Sequence, residues 1–138
     1  MATAVMDVEA RVAMLIGARS GVKSDELIRK GIPLSALERL AQHGVDVARL
    51  GIIKPRTLTH RRSKGEALSP EEGDRLYRAS KIVLLAEEVI GSRAKAHRWL
   101  NKPRKALGNV NALQAIMTTP GYMAAEELLE QLRHGYVL

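Results

Sequence analysis

The most constraining stretch of this chain is Ser69-Pro70-Glu71-Glu72 and the apolar run behind it. A serine followed three residues later by glutamate forms a capping box, and a proline between them sits where its missing N–H costs nothing. Leu76, Ala79, Val83, Ala86 and Ile90 then recur at three-four spacing, with Ile82, Leu84 and Leu85 widening the stripe until the helix is apolar nearly all round. Such a helix is stable only when covered by others. It is therefore expected to be the central core element of the fold, ended by Gly91.

The remaining segments supply covers of the same kind. Val5, Val8, Val12 and Ile16 line one face of a first helix that stops at Gly17. Ser24 reads as the cap of a short helix with Asp25 and Glu26 in its first turn, closed by Gly31 and Pro33. Pro33 can open a third helix carrying Leu37 and Leu40 and ending at Gly44. After the central helix, Ser92 caps a segment with Ala96, Trp99 and Leu100 on one face, broken at Asn101 and Pro103. A further helix holds Leu113, Ile116 and Met117. Thr119-Pro120-Gly121 reads as the last break, before a final amphipathic helix with Ala125, Leu128, Leu129 and Leu132. Among these, Ser69, Gly91, Trp99, Leu100, Pro103 and Gly121 are assigned structural roles. No alternating β-branched run suggests a strand. The expected fold is all-α, with an N-terminal helix-turn-helix-like module over residues 1–66 and a helical bundle over residues 67–138.

Val45 to Leu50, a bend at Gly51 and a helix from Pro55 to Lys64 have the form of a helix-turn-helix with a basic second helix. The chain carries a formal charge of +7, and its distribution sharpens that reading. Between Ala48 and Gly65 six basic residues face no acidic one, and the same count recurs between Val89 and Ala125. The first run points to phosphate contact. With Leu58 set inward, a helical wheel turns Arg56, His60 and Lys64 away from the core and Thr57 and Thr59 to the flanks, beside Lys54 at the helix start. Arg61 and Arg62 fall nearer the packed side, where they either reach phosphates with extended side chains or pair with acidic neighbours. The second run, Arg93 to Lys105, suits an acidic protein surface or a second stretch of DNA.

Other chemistries find no support in the residues. Without cysteine there is no disulfide or thiolate metal site, and the four histidines at 43, 60, 97 and 134 are scattered, so no metal is expected. No Ser-His-acid spacing or phosphate-binding glycine loop appears, so neither enzyme activity nor a cofactor is expected. No apolar run reaches the roughly 20 residues of a membrane span, and no signal core is seen, which gives a cytoplasmic expectation.

From Lys54 onward the chain resembles the Xre-MbcA-ParS antitoxin family. The resemblance rests on Pro55-Arg56-Thr57-Leu58 with Arg61-Arg62, on Leu68-Ser69-Pro70-Glu71-Glu72 with Asp74-Arg75-Leu76 and Arg78, and on Ala86, Val89 and Gly91. Ala96, Trp99-Leu100, Pro103, Leu107-Gly108, Leu113, Thr118 or Thr119, Gly121, Leu128-Leu129 and Arg133-His134-Gly135 continue it. Two positions depart: Asn111 stands where the family commonly has proline, and Gly73 where serine is common. The resemblance implies an antitoxin whose partner is a RES-domain toxin that degrades or transfers from NAD. It further implies that the C-terminal half docks on the toxin while Arg133, His134, Gly135, Tyr136, Val137 and Leu138 obstruct the NAD cleft. The helix-turn-helix adds operator DNA as a partner and autorepression as a role, and operator reading calls for a homodimer within a hetero-oligomeric toxin-antitoxin complex. The alternative is a free-standing helix-turn-helix transcription regulator whose C-terminal bundle only dimerises.

Overall fold

A computed structural model describes residues 7–18 and 23–135 of the chain. Among them the backbone is helical and no strand occurs; one isolated antiparallel bridge joins Arg104 and Val110. The helices are α1 (Val8–Ile16), α2 (Ser24–Lys30), α3 (Ser35–Ala41), α4 (Pro55–Lys64), α5 (Pro70–Ile90), α6 (Arg93–Asn101), α7 (Ala112–Ala115) and α8 (Thr119–Arg133). Short 3₁₀ turns at Val47–Leu50 and Lys105–Leu107 connect them.

The capping box forms as the sequence dictates. Ser69 Oγ accepts from the Glu72 N–H at 3.2 Å, and Glu72 Oε1 accepts from the Ser69 N–H at 2.8 Å. The 21-residue α5 that follows is long enough to serve as the axis of the domain. Leu76, Ala79, Ile82, Val83, Leu84, Leu85 and Ala86 are all buried along it. α1, α6 and α8 pack on it along its length, and α2 near its start. Val12 and Ile16 of α1, Leu40 of α3, Leu100 of α6 and Leu129 of α8 join α5 in one continuous apolar cluster. Each fully buried aliphatic side chain contributes roughly 1.5–3 kcal/mol.

Several local expectations are corrected. Ser24 is the first residue of α2 rather than its cap: Lys23 occupies the cap position, with no side-chain hydrogen bond to the helix. The short helical turn expected within Val45 to Leu50 is present as the 3₁₀ turn, started where Asp46 accepts from the Ala48 N–H and ended by Gly51, left-handed at φ 65°. Thr119-Pro120-Gly121 is no break but the first turn of α8, since Thr118 Oγ1 accepts from the Gly121 N–H at 3.1 Å and Pro120 lies in the first turn. α3 starts at Ser35, its approach tightened by the Ala36 N–H bonding to the Pro33 carbonyl. Val5, expected on the first helix, lies outside the described residues.

Both departures from the family pattern have a physical compensation. Asn111 caps α7 in a second capping box with Gln114, at 2.8 and 3.0 Å, so the start of this short helix is fixed without proline. Gly73 is buried where α2 and the α2–α3 link cross α5: a Cβ there would lie 3.3 Å from Ile32 Cδ1 and 3.7 Å from Ile28 Cγ2. The helix propensity lost at glycine, about 1 kcal/mol, is exchanged for close approach of two isoleucines.

Gly121 is constrained more severely, because a Cβ at this position would fall 1.9 Å from the Ala115 carbonyl oxygen. Backbone atoms cannot move aside like a side-chain tip. Gly121→Ala is expected to lower unfolding free energy by about 3 kcal/mol, read from urea denaturation; unchanged stability would show that α7 and α8 do not meet so closely.

Candidate functional site

Two surfaces carry the residues singled out in the sequence. The first is α4. Within the described residues, α4 has no fully buried side chain; only Thr57, Leu58 and Arg61 are half-buried. Leu58 packs against the core as the inward residue. Arg56, Thr59, His60, Arg62 and Lys64 are exposed, as is Lys54 at the cap position. Thr59 Oγ1 donates back to the Pro55 carbonyl at 3.1 Å, so its hydroxyl is partly engaged within the helix.

Arg61 has a different situation from its neighbours. Its Nε and Nη2 donate to the two carboxylate oxygens of Glu72 at 3.0 and 3.3 Å, and Glu66 lies 3.8 Å away. Of the two roles the wheel left open, the structure fills the ion pair. The same Glu72 closes the capping box, so one buried carboxylate starts α5 and fixes α4 to it. Burial alone would raise the Glu72 pKa, but the Ser69 N–H and the Arg61 guanidinium outweigh it and hold the carboxyl below its usual value. Arg75 continues the fastening by donating from Nε to the Ile52 carbonyl at 3.0 Å, just ahead of α4.

The second surface lies at the far end of the chain. Arg133 donates to Glu88 of α5 at 2.6 Å and lies 3.4 Å from Glu130. With His134 and Gly135 it is exposed at the end of α8. Tyr136, Val137 and Leu138 lie outside the described residues. Beside this helix, Leu107, Val110, Pro120 and Ala124 line a cavity of about 400 Å³, and Met117 and Met123 are exposed. Trp99 is half-buried on α6, with the Arg104 guanidinium 4.3 Å from its ring centroid; Leu100 beside it is fully buried.

A network that the sequence reading missed ties α1 and α8 to α5. Lys81 of α5 reaches Glu9 of α1 at 2.7 Å and Glu126 of α8 at 2.9 Å. Tyr77 donates to Glu9 at 2.9 Å and Tyr122 to Glu126 at 3.1 Å. Burial, then the neighbouring carboxylates, push the Tyr77 phenol up to about 12 and raise Tyr122 as well. For Lys81, burial is outweighed by its two carboxylate partners and the pKa rises. The signal was one lysine and one tyrosine, Lys81 and Tyr77, on the wide apolar stripe of α5, whose partners lie far away in sequence. On the other side of α5, Glu87 meets His43 at 2.7 Å, Arg11 at 3.3 Å and Arg93 at 3.5 Å.

An exposed cationic helix fastened to a long core helix, followed by a compact set of helices, gives a helix-turn-helix-like module joined to a second helical region. Comparison with known proteins gives both parts a family. Residues 24–79 match the antitoxin Xre-like helix-turn-helix domain, and residues 85–135 match the antitoxin Xre/MbcA/ParS C-terminal toxin-binding domain. Antitoxin Xre of Pseudomonas putida is 37% identical over 113 residues, covering 80% of this chain and 71% of that protein. Antitoxin Xre of Yersinia enterocolitica is 30% identical over 91 residues, 65% of this chain and 62% of that protein. Antitoxin Xre of Photorhabdus laumondii is 23% identical over 123 residues, 86% and 83% of the two chains. The chain belongs to the Xre/MbcA/ParS antitoxin family. No helix among the described residues is long and apolar enough to cross a membrane.

The double role of Glu72 sets a pH dependence. Its folded pKa is depressed, so its contribution to stability is complete above the ordinary carboxylate range and is lost as pH falls toward the folded value. Glu72→Gln retains a capping partner but loses the ionic fork. It is expected to cost about 2 kcal/mol at pH 7, a difference that narrows below about pH 4. Urea midpoints of both proteins from pH 2.5 to 7 check this; a constant offset would contradict it.

Proposed function

We propose that this chain neutralises a RES-domain toxin and represses its own operon. Residues 1–66 supply the DNA contacts and residues 67–138 the toxin contacts. The observation that carries the toxin-binding part is the match of residues 85–135 to a toxin-binding domain whose last described turn, Arg133 to Gly135, is exposed at the end of α8. In this reading α5 to α8 dock on the toxin, and residues 133–138 enter its NAD cleft. The inhibitor works by occupancy and catalyses nothing itself: an aromatic and two aliphatic residues after Gly135 displace the nucleotide by filling its space.

For DNA, the exposed face of α4 supports a recognition helix. Arg56 and His60 reach base edges, Thr57 and Thr59 contact the flanks, and Lys54, Arg62 and Lys64 neutralise phosphates. Arg61 acts indirectly, holding α4 at a fixed angle through Glu72. A homodimer places two such helices about one DNA turn apart, within a larger complex with the toxin.

Co-expression with the adjacent RES toxin tests the tail. The full chain is expected to restore growth, and a chain ending at Arg133 to lose protection; full protection by the truncated chain would show that the tail does not obstruct the cleft. Absence of protection by the full chain would favour a free-standing transcription regulator instead. For the other surface, replacing both Arg56 and His60 by alanine is expected to weaken operator binding by about 2 kcal/mol or more in a gel-shift assay, and unaltered binding would move the reading surface elsewhere.

A further inference from the structure

Lys95, Arg98 and Lys102 recur at three-four spacing on α6 and its C-cap, and all three are exposed. Ala96 and Leu100 hold the opposite face in the core. Among the described residues, none of the three makes an ion pair, nor does Lys105 on the following turn. Several cations elsewhere are matched: Arg11, Arg61, Arg78, Lys81 and Arg133 each meet a carboxylate at 2.6–3.3 Å, while Lys23 and Lys30 at the ends of α2 are single exposed charges rather than a stripe. The outer face of α4 shares the unopposed character of α6. A cleft of about 430 Å³ separates α6 from the 3₁₀ turn that precedes α4, with Asp46 and Arg49, paired at 3.4 Å, lining one wall and His97 and Asn101 of α6 the other.

The composition of this face separates two classes of partner. Protein interfaces centre on desolvated apolar and aromatic anchors and are depleted in lysine. The exposed positions of α6 are Arg93, Ala94, Lys95, His97, Arg98 and Asn101, with no large apolar side chain. The exposed large apolar side chains of the C-terminal half lie beyond it: Met117 is 49% exposed and Met123 61%. Flexible cations without an apolar centre suit a phosphate backbone, where each contact releases a counterion and no shape complementarity is needed.

We propose that α6 is a second DNA-backbone contact, in which Lys95, Arg98 and Lys102 neutralise phosphates of the duplex that α4 reads. This rests on the DNA-binding reading of α4. It gives the C-terminal region a sequence-independent share in promoter binding, alongside its part in toxin docking.

The test is fluorescence anisotropy with the native promoter duplex and a scrambled duplex of equal length, over 50–200 mM KCl, for the full chain alone and with its toxin. The combined variant Lys95→Gln, Arg98→Gln, Lys102→Gln is expected to bind both duplexes more weakly, with the slope of log K against log salt reduced by about 2.7, or roughly 0.9 per phosphate. The charge-conserving variant Lys95→Arg, Arg98→Lys, Lys102→Arg keeps the wild-type slope, and both variants keep wild-type thermal melting. Arg56→Ala instead lowers the preference for promoter over scrambled duplex. If the wild-type chain binds and the glutamine variant shows the same slope, α6 is not a DNA contact while α4 remains one. Loss of toxin co-purification with intact DNA binding would assign the stripe to an acidic toxin surface. A wild-type chain that binds neither duplex, with or without toxin, overturns both readings.

Discussion

Burial of α5 is the constraint on which the other helices depend. α2, α3 and α7 have seven, seven and four residues, well below the roughly 12–15 at which an isolated helix becomes even marginal in water. α2 persists because an axis of 21 residues offers it apolar surface, and α3 and α7 because they pack on the helices that cover that axis, α3 on α1 and α7 on α6 and α8. α5 in turn needs cover on nearly every side, since Ile82 to Ala86 are buried in unbroken succession. The dependence is mutual, and it makes the N-terminal and C-terminal helices parts of one core. The two family matches meet within this helix, one running to residue 79 and the other beginning at 85.

Polar fastenings then determine orientation, which apolar burial leaves loose. Glu72 ties α4 to the first turn of α5 through Arg61. Lys81 spans α1 and α8, and Glu87 gathers His43, Arg11 and Arg93. These pairs are partly shielded, and each links elements distant in sequence, so they resist sliding of the covers along the axis. On the outer surfaces of α4 and α6, by contrast, Arg56, Arg62, Lys64, Lys95 and Arg98 have no carboxylate partner among the described residues, and of the exposed α6 cations Arg93 alone is paired.

Helix positions were legible where capping chemistry and periodicity agreed. Ser69, Glu72 and Pro70 announced α5, Ser92 announced α6, and Gly17, Gly65 and Gly91 each end a helix in the left-handed region. Reading failed where a plausible cap competed with the actual backbone path. Ser24 had the right chemistry but enters α2 as its first residue, and the breaker composition of Thr119-Pro120-Gly121 concealed a helix start, because proline and glycine are both tolerated in a first turn. Of the candidate surface, Arg56, His60 and Lys64 followed from the wheel once Leu58 was placed inward, whereas Arg62, expected nearer the packed side, is exposed. The long-range partners did not: Glu9 with Lys81 and Arg11 with Glu87 are 72 and 76 residues apart, and no local pattern encodes them. Nor does any spacing reveal that Gly121 faces a carbonyl.

On the proposed function, this molecule acts on another protein by physical occupancy. The direct measurement is a titration of purified RES toxin with the purified chain, following NAD consumption. The account predicts a linear fall to near zero at a fixed molar ratio, with no recovery on dilution over the assay time. Undiminished NAD consumption at a large molar excess of the chain would contradict it.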